Sequence, residues 1–173
     1  MFKQSHIIEY NDYGPYNGSD YNYSRRYFTI ETAKELYEHL KDDRIYISGP
    51  MTGIEDSNKK EFIKQAFVLD DYGLDNISPV DLEAFIAAEK EFYTHADCMR
   101  ADYKELLQCT AIAMLEGWEK AKGAQAEREM ARRVGMKVYY IGTESLGEWE
   151  APERGMRRGD VRVSGQKRQP NPL

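Results

Sequence analysis

Disulfides, membrane spans and a surplus of basic charge are all missing from this sequence. Only two cysteines, Cys98 and Cys109, occur in 173 residues, too few for the disulfide framework that staples small secreted domains. No apolar stretch is long enough to cross a bilayer and no charged-then-apolar leader opens the chain, so a reduced, cytoplasmic protein with no membrane partner is expected. Acidic groups outnumber basic ones, 30 to 24, for a net charge of −6. Binding nucleic acid along the whole chain needs a clustered excess of Lys and Arg, so nucleic acid is not the expected partner, although a local basic patch stays open. The fingerprints GxGxxG and GxxxxGK[ST] are absent too. His95, Asp97 and Cys98 lie close together, with Cys109 later, but HxxC without a paired CxxC is a poor zinc signature. No metal and no cofactor is called for.

What is present suits one α/β domain with appendages, since a chain of this length can bury a single proper core. Residues 1–28 are rich in Tyr, Asn, Gly and Ser and sustain no apolar period, which predicts an irregular arm. Thr29 to Lys41 spaces Ala33, Leu36, Tyr37 and Leu40 as an amphipathic helix does. The arm and this helix make up residues 1–43. From 44 to 146 strand and helix patterns alternate. RIYIS (Arg44 to Ser48) reads as a strand, Asn58 to Tyr72 as a helix and NISPVDL (Asn76 to Leu82) as a weak strand leading into a loop. Two polar helices follow, through Leu82 to Glu91 and Ala96 to Gln108. AIAML (Ala111 to Leu115) is the expected central strand, Gly123 to Val134 a helix and MKVYYIG (Met136 to Gly142) a last strand. That order implies parallel crossovers, hence an α/β fold around a parallel sheet. Residues 147–173 turn Gly-, Pro- and Arg-rich, as a basic flexible tail would.

In such a sheet ligands bind beyond the carboxyl ends of the strands, so two loops matter most. SGPMTGIEDSN (Ser48 to Asn58) has Gly49 and Gly53 around Pro50, which lets backbone approach a ligand while Ser48 and Thr52 offer hydroxyls. A plain strand-to-helix turn reads the same way. In EGWEKAKGAQAE (Glu116 to Glu127), Gly123 lies near a helix start, and Glu127 follows four residues on. The helix field there favours an ionised carboxylate, suited to a nucleophile or to stabilising positive charge, though dipole pairing alone also explains such a glutamate. Trp118 fits either packing or the rim of a pocket.

The ordered set YISGPMTG, then MRADYKELLQC, then AIAMLEGWEKAKGAQAE and a terminal GMKVYYI resembles the nucleoside 2-deoxyribosyltransferase superfamily. More narrowly it resembles a small bacterial and phage branch of uncharacterised domains with the signature GPMTG … MRxD … CDxIxMLxGWExSxGAxxE. The resemblance covers about Arg44 to Ile141. It implies a flavodoxin-like or Rossmann-like three-layer sandwich, cleavage, by hydrolysis or transfer, of the N-glycosidic bond of a deoxynucleoside or its 5′-monophosphate, and a homo-oligomer, dimer or larger. By the same resemblance Glu127 is the nucleophile, Asp102 handles the base and its proton, Tyr46 positions the glutamate, and Gly49, Met51 and Gly123 line the sugar. Three positions depart from the signature: Thr110 stands for Asp, Ala121 for Ser, and Ser78 for the Asn of an Asn-Pro pair. With Ala121 in place of a phosphate-holding serine, Lys120 or Lys122 would have to hold a 5′-phosphate, or the substrate lacks one. The alternative is a protein that kept the pocket, lost turnover and sequesters a nucleotide or signalling ligand.

Overall fold

The computed structural model describes residues 5–13 and 23–153. Six strands form one mixed sheet in the order β2-β1-β6-β5-β3-β4. Four of them are parallel neighbours: β3 (Arg44–Ser48), β4 (Asp75–Ile77), β5 (Ala111–Met114) and β6 (Lys137–Tyr140). Five helices connect and cover them: α1 (Ala33–Leu40), α2 (Lys59–Asp71), α3 (Pro79–Glu89), α4 (His95–Leu106) and α5 (Lys122–Arg133). The expected α/β architecture is therefore present, with helices on both faces of the sheet. Among the described residues no helix is long and apolar enough to cross a membrane.

Strand alternation sorts the core into two layers. Ile45 and Ile47 of β3, with Ala111 and Ala113 of β5, join Leu36, Leu40, Phe62 and Leu69 of α1 and α2. Tyr46, Ile112, Met114 and Val138 point the other way and join Leu82, Leu106, Ala124 and Ala131 of α3, α4 and α5. Because both faces are covered, β5 is buried throughout, which is why it reads as a continuous apolar run. Each fully buried Leu, Ile or Phe contributes roughly 1.5–3 kcal/mol of transfer free energy.

Helix starts are set by capping boxes, whose side chains satisfy N–H groups left over in the first turn. Thr32 Oγ1 accepts from the Glu35 N–H at 3.2 Å, while the Glu35 carboxylate accepts from the Thr32 N–H at 3.3 Å. Helix α1 therefore begins at Ala33, and Thr29 belongs to a strand instead. Ser78 with Asp81 starts α3 at Pro79, ahead of the predicted Leu82, and Thr94 with Asp97 starts α4.

The N-terminal segment differs from the irregular arm that its composition predicts. β1 (His6–Tyr13) and β2 (Tyr23–Ile30) form an antiparallel hairpin running from His6↔Ile30 to Tyr13↔Tyr23. β1 then pairs antiparallel with β6, Glu9 opposite Val138, so the parallel sheet becomes a mixed one. Ile8 and Ile30 enter the α1 side of the core. The next residue, Glu9, faces the opposite side and is buried there too, at 1% exposure. Its charge breaks the continuous apolar run of a strand covered on both faces, and Asn11 and Asp12 cut short the alternation that Ile8 and Tyr10 begin. At the other end Trp149 packs on Tyr37, ring centroids 4.5 Å apart, so the first residues of the expected tail lie against the body. The remaining arm and tail positions, 1–4, 14–22 and 154–173, lie outside the described residues.

If the hairpin belongs to the cooperative core, Ile8→Ala is expected to destabilise the whole chain by about 2–5 kcal/mol. Urea unfolding followed by both tryptophan fluorescence and far-ultraviolet dichroism checks this. A loss near zero would mean that the hairpin is an appendage.

Candidate functional site

β3 lies at the point where chain order reverses: β4 follows on one side of it, β5 on the other. Such a switch point opens a crevice at the carboxyl ends of the strands. Tyr46 and Ser48 are two residues apart, so both side chains leave β3 on the face that α5 covers. There they meet Glu127, in the second turn of α5. The Tyr46 hydroxyl donates to Glu127 Oε1 at 3.3 Å, and the Ser48 hydroxyl donates to Oε2. Ser48, expected to offer its hydroxyl to a ligand, is thus a partner of the glutamate.

Glu127 is half-buried. Burial pushes its carboxyl up to about 7; the Ser48 hydrogen bond opposes that rise, the nearby Asp102 charge adds to it, and the Tyr46 bond opposes it again. The helix field that the sequence predicts would keep it ionised does not prevail, because a second-turn residue lies past the reach of the dipole and desolvation is the larger effect. Asp102, from α4, is raised to about 6 by burial, with His95 pulling it down and Glu83 pushing it up. Tyr46 is raised well beyond its ordinary value, first by burial and then by the charges of Glu127 and Asp102, so it remains a protonated donor. Two carboxyl groups on different helices, both short of water and with the Asp102 charge acting on Glu127, change protonation near neutral pH.

The structure brings together Glu127, Tyr46, Ser48 and Asp102 among the residues singled out from the sequence. The others line the approach or serve the fold. A Cβ on Gly49 would lie 2.7 Å from Leu115 Cβ, so packing by itself already keeps a side chain out of this position. Met51 packs on the α1–α2 side of the core, while Thr52 and Gly53 are exposed at the loop tip. The following turn holds Asp56, Ser57 and Asn58 at φ of 50°, 52° and 61°, left-handed backbone that is uncommon without glycine. The Asn58 amide ties this turn back by donating to the Pro50 carbonyl at 2.9 Å. Around a Cβ placed on Gly123 there is nothing within 4 Å, so the start of α5 faces open space beside exposed Lys120 and Lys122. Trp118 packs on Tyr140, centroids 5.6 Å apart, beneath the Arg128 guanidinium. Of the two groups that bias Asp102, His95 stands two turns before it on the same face of α4, whereas Glu83 is brought there by the packing of α3 on α4. Asp97, considered for zinc, is engaged by the Thr94 cap at 2.8 Å.

The model of a family described as a domain of unknown function, DUF4406, matches residues 43–140. The chain belongs to DUF4406. No curated protein matches the chain. The DUF4406 match spans β3 to β6 and so contains every residue of the Glu127 site, whereas the hairpin and α1 precede it.

The raised Glu127 carboxyl has a consequence for stability. The folded chain holds this proton more tightly than the unfolded chain, so the benefit is whole below about 4.5 and is lost as pH rises towards about 7. Glu127→Gln removes the group that must ionise out of water. The variant is expected to gain on the native chain by on the order of 2 kcal/mol between pH 4.5 and 8. Urea unfolding at both pH values checks this, and a gap that does not open with pH would contradict it.

Proposed function

We propose that the protein cleaves the N-glycosidic bond of a deoxynucleoside or deoxynucleoside 5′-monophosphate, by hydrolysis or by transfer to a second base. The observation that carries this reading is Glu127 held by Ser48 and Tyr46 with Asp102 in its field. The resemblance of GPMTG, MRAD and GWEKAKGAQAE to the nucleoside 2-deoxyribosyltransferase superfamily supports it. Ionised Glu127 attacks C1′ while the bond to the base nitrogen breaks, and protonated Asp102 gives its proton to the departing base. Water or another base then attacks C1′, Asp102 takes the proton that water releases, and Glu127 leaves as a carboxylate. Ser48 and Tyr46 donate to Glu127 throughout, fixing its aim and easing its departure. The productive state carries one proton on the pair; since Glu127 (about 7) holds it more tightly than Asp102 (about 6), the form with Asp102 protonated is the minor one of that state, and activity rises and falls with two apparent ionisations.

A 5′-phosphate finds support at the start of α5. Ala121 caps this helix without a side-chain hydrogen bond, which leaves first-turn N–H groups for an anion, with Gly123 open and two lysines beside it. Thr110, one of the departures that suggested a sequestering protein without turnover, accepts the Arg44 N–H at 3.1 Å at the far end of β5. Its role there is structural, so Ala121 alone still motivates that second reading. Exposed Phe67 on α2, Phe85 on α3 and Phe92 beyond it supply apolar surface for the homo-oligomer that the resemblance implies.

Chromatography of a panel of deoxynucleosides and monophosphates tests the reading. Base release is expected to fall at least about 1,000-fold in Glu127→Ala and about 100- to 10,000-fold in Asp102→Asn. The pH profile should be a bell peaking between about 6 and 7. Undiminished release by Glu127→Ala would refute the assignment; calorimetric binding without product would favour sequestration. Ala121→Ser is expected to add about 1 kcal/mol of stability by capping α5 and to tighten monophosphate over nucleoside in calorimetry; equal affinity for both would argue against phosphate recognition there.

A further inference from the structure

The hairpin precedes the residues matched by the family model, yet it delivers a buried charge to the helix of Glu127. Glu9 Oε1 accepts from Arg132 Nε at 2.9 Å and lies 3.5 Å from Arg25 Nε. Its Oε2 accepts from the Tyr140 hydroxyl at 2.7 Å and lies 3.9 Å from the Arg128 guanidinium. Arg128 Nε donates to the same Tyr140 oxygen at 2.7 Å, and the guanidinium sits over Trp118, 4.6 Å from the ring centroid. One carboxylate thus fastens α5 at two places, the end of β6, and, through Trp118, the turn Trp118–Lys120 from which α5 starts. Arg128 is covalently adjacent to Glu127, and Arg132 follows one turn later. Guanidinium groups engage a carboxylate through a rigid planar fork, and a buried ion is costly to leave unpaired, so this junction admits one seating of the helix.

We propose that Glu9 is a positioning residue: through Arg128, Arg132 and Tyr140 the N-terminal hairpin sets where α5 sits, and hence where the Glu127 carboxylate meets Ser48 and Tyr46. The assignment concerns the same Glu127 centre as the glycosidic reading and rests on that reading only for its kinetic arm. Its primary test needs no turnover. The Glu127 carboxyl carbon is followed by NMR titration, its signal assigned by its loss in Glu127→Gln, in the native chain, in Glu9→Gln and in Leu40→Ala. The last opens a cavity in the α1 layer, across the sheet from the arginines, and reports loss of stability alone. Glu9→Gln is expected to lower the Glu127 midpoint by about half a pH unit or more, because a loosened α5 hydrates the carboxylate and the arginines lose their anion. Leu40→Ala should leave the midpoint in place. Tyr140→Phe, which cuts only the link between Glu9 and Arg128, should move it the same way by less and serves if Glu9→Gln does not fold. An unmoved midpoint in Glu9→Gln, or in Tyr140→Phe where that variant stands in, or an equal movement in Leu40→Ala, would overturn the proposal. In the base-release assay Glu9→Gln should lower kcat about 10- to 100-fold with KM within about threefold, and Leu40→Ala neither. Absence of turnover in the native chain would count against the glycosidic reading, and the titration would then decide this proposal by itself.

Discussion

A carboxylate packed between a helix and a sheet, with two hydroxyls as its replacement for water, is the constraint on which the site depends. Moving Glu127 out of water penalises its charged form, and the Ser48 and Tyr46 bonds return part of what hydration would have supplied. The balance leaves a group that ionises near neutrality, neither a permanent anion nor a permanently neutral acid. Asp102 is tuned in the same direction by its own burial. On the proposed reading, this pair would supply a proton to a leaving group from one side and a nucleophile on the other.

The sheet makes this arrangement inexpensive to build. A strand sends alternate side chains to one face, so Tyr46 and Ser48 reach α5 together while Ile45 and Ile47 fill the opposite layer. At the topological reversal beside β3, the connections after β3 and β5 turn to opposite faces of the sheet, towards α2 and α5. On the outer side, the hairpin adds to β6 and buries Glu9 among arginines of α5. The helix that carries Glu127 is therefore held from two sides, by apolar contact with β3, β5 and β6 and by charge at its flank.

Much of this was legible in the sequence where a periodic apolar signal existed. RIYIS, AIAML and MKVYYI are strands because β-branched and aromatic residues run unbroken, and the helices between them show through residues such as Phe62, Ala66 and Leu69. The hairpin was not legible. Glu9 puts a charge into a strand covered on both faces, where a continuous apolar run is the usual signal, and its partners Arg128 and Arg132 lie more than a hundred residues away. The site was half legible. Motif resemblance points to Glu127, Asp102 and Tyr46, and His95 stands two turns before Asp102 on one helix, but the pairing of Ser48 with Glu127, the tight space between Gly49 and Leu115 and the influence of Glu83 on Asp102 arise only from tertiary contacts. The direction of the Glu127 shift was read wrongly for a related reason: position along a helix is visible in a sequence, and desolvation is not.

If Glu127 is the proposed nucleophile, its oxygen bonds to C1′ during turnover. A deoxynucleoside bearing fluorine at C2′ slows breakdown of a glycosyl ester by destabilising the positive charge that develops at C1′. Incubation with such a compound, followed by peptide mass spectrometry, is expected to find the sugar's mass on the peptide containing Glu127, with the free base released in equal amount. Sugar attached at any other residue, or base released with no adduct on Glu127, would contradict the account.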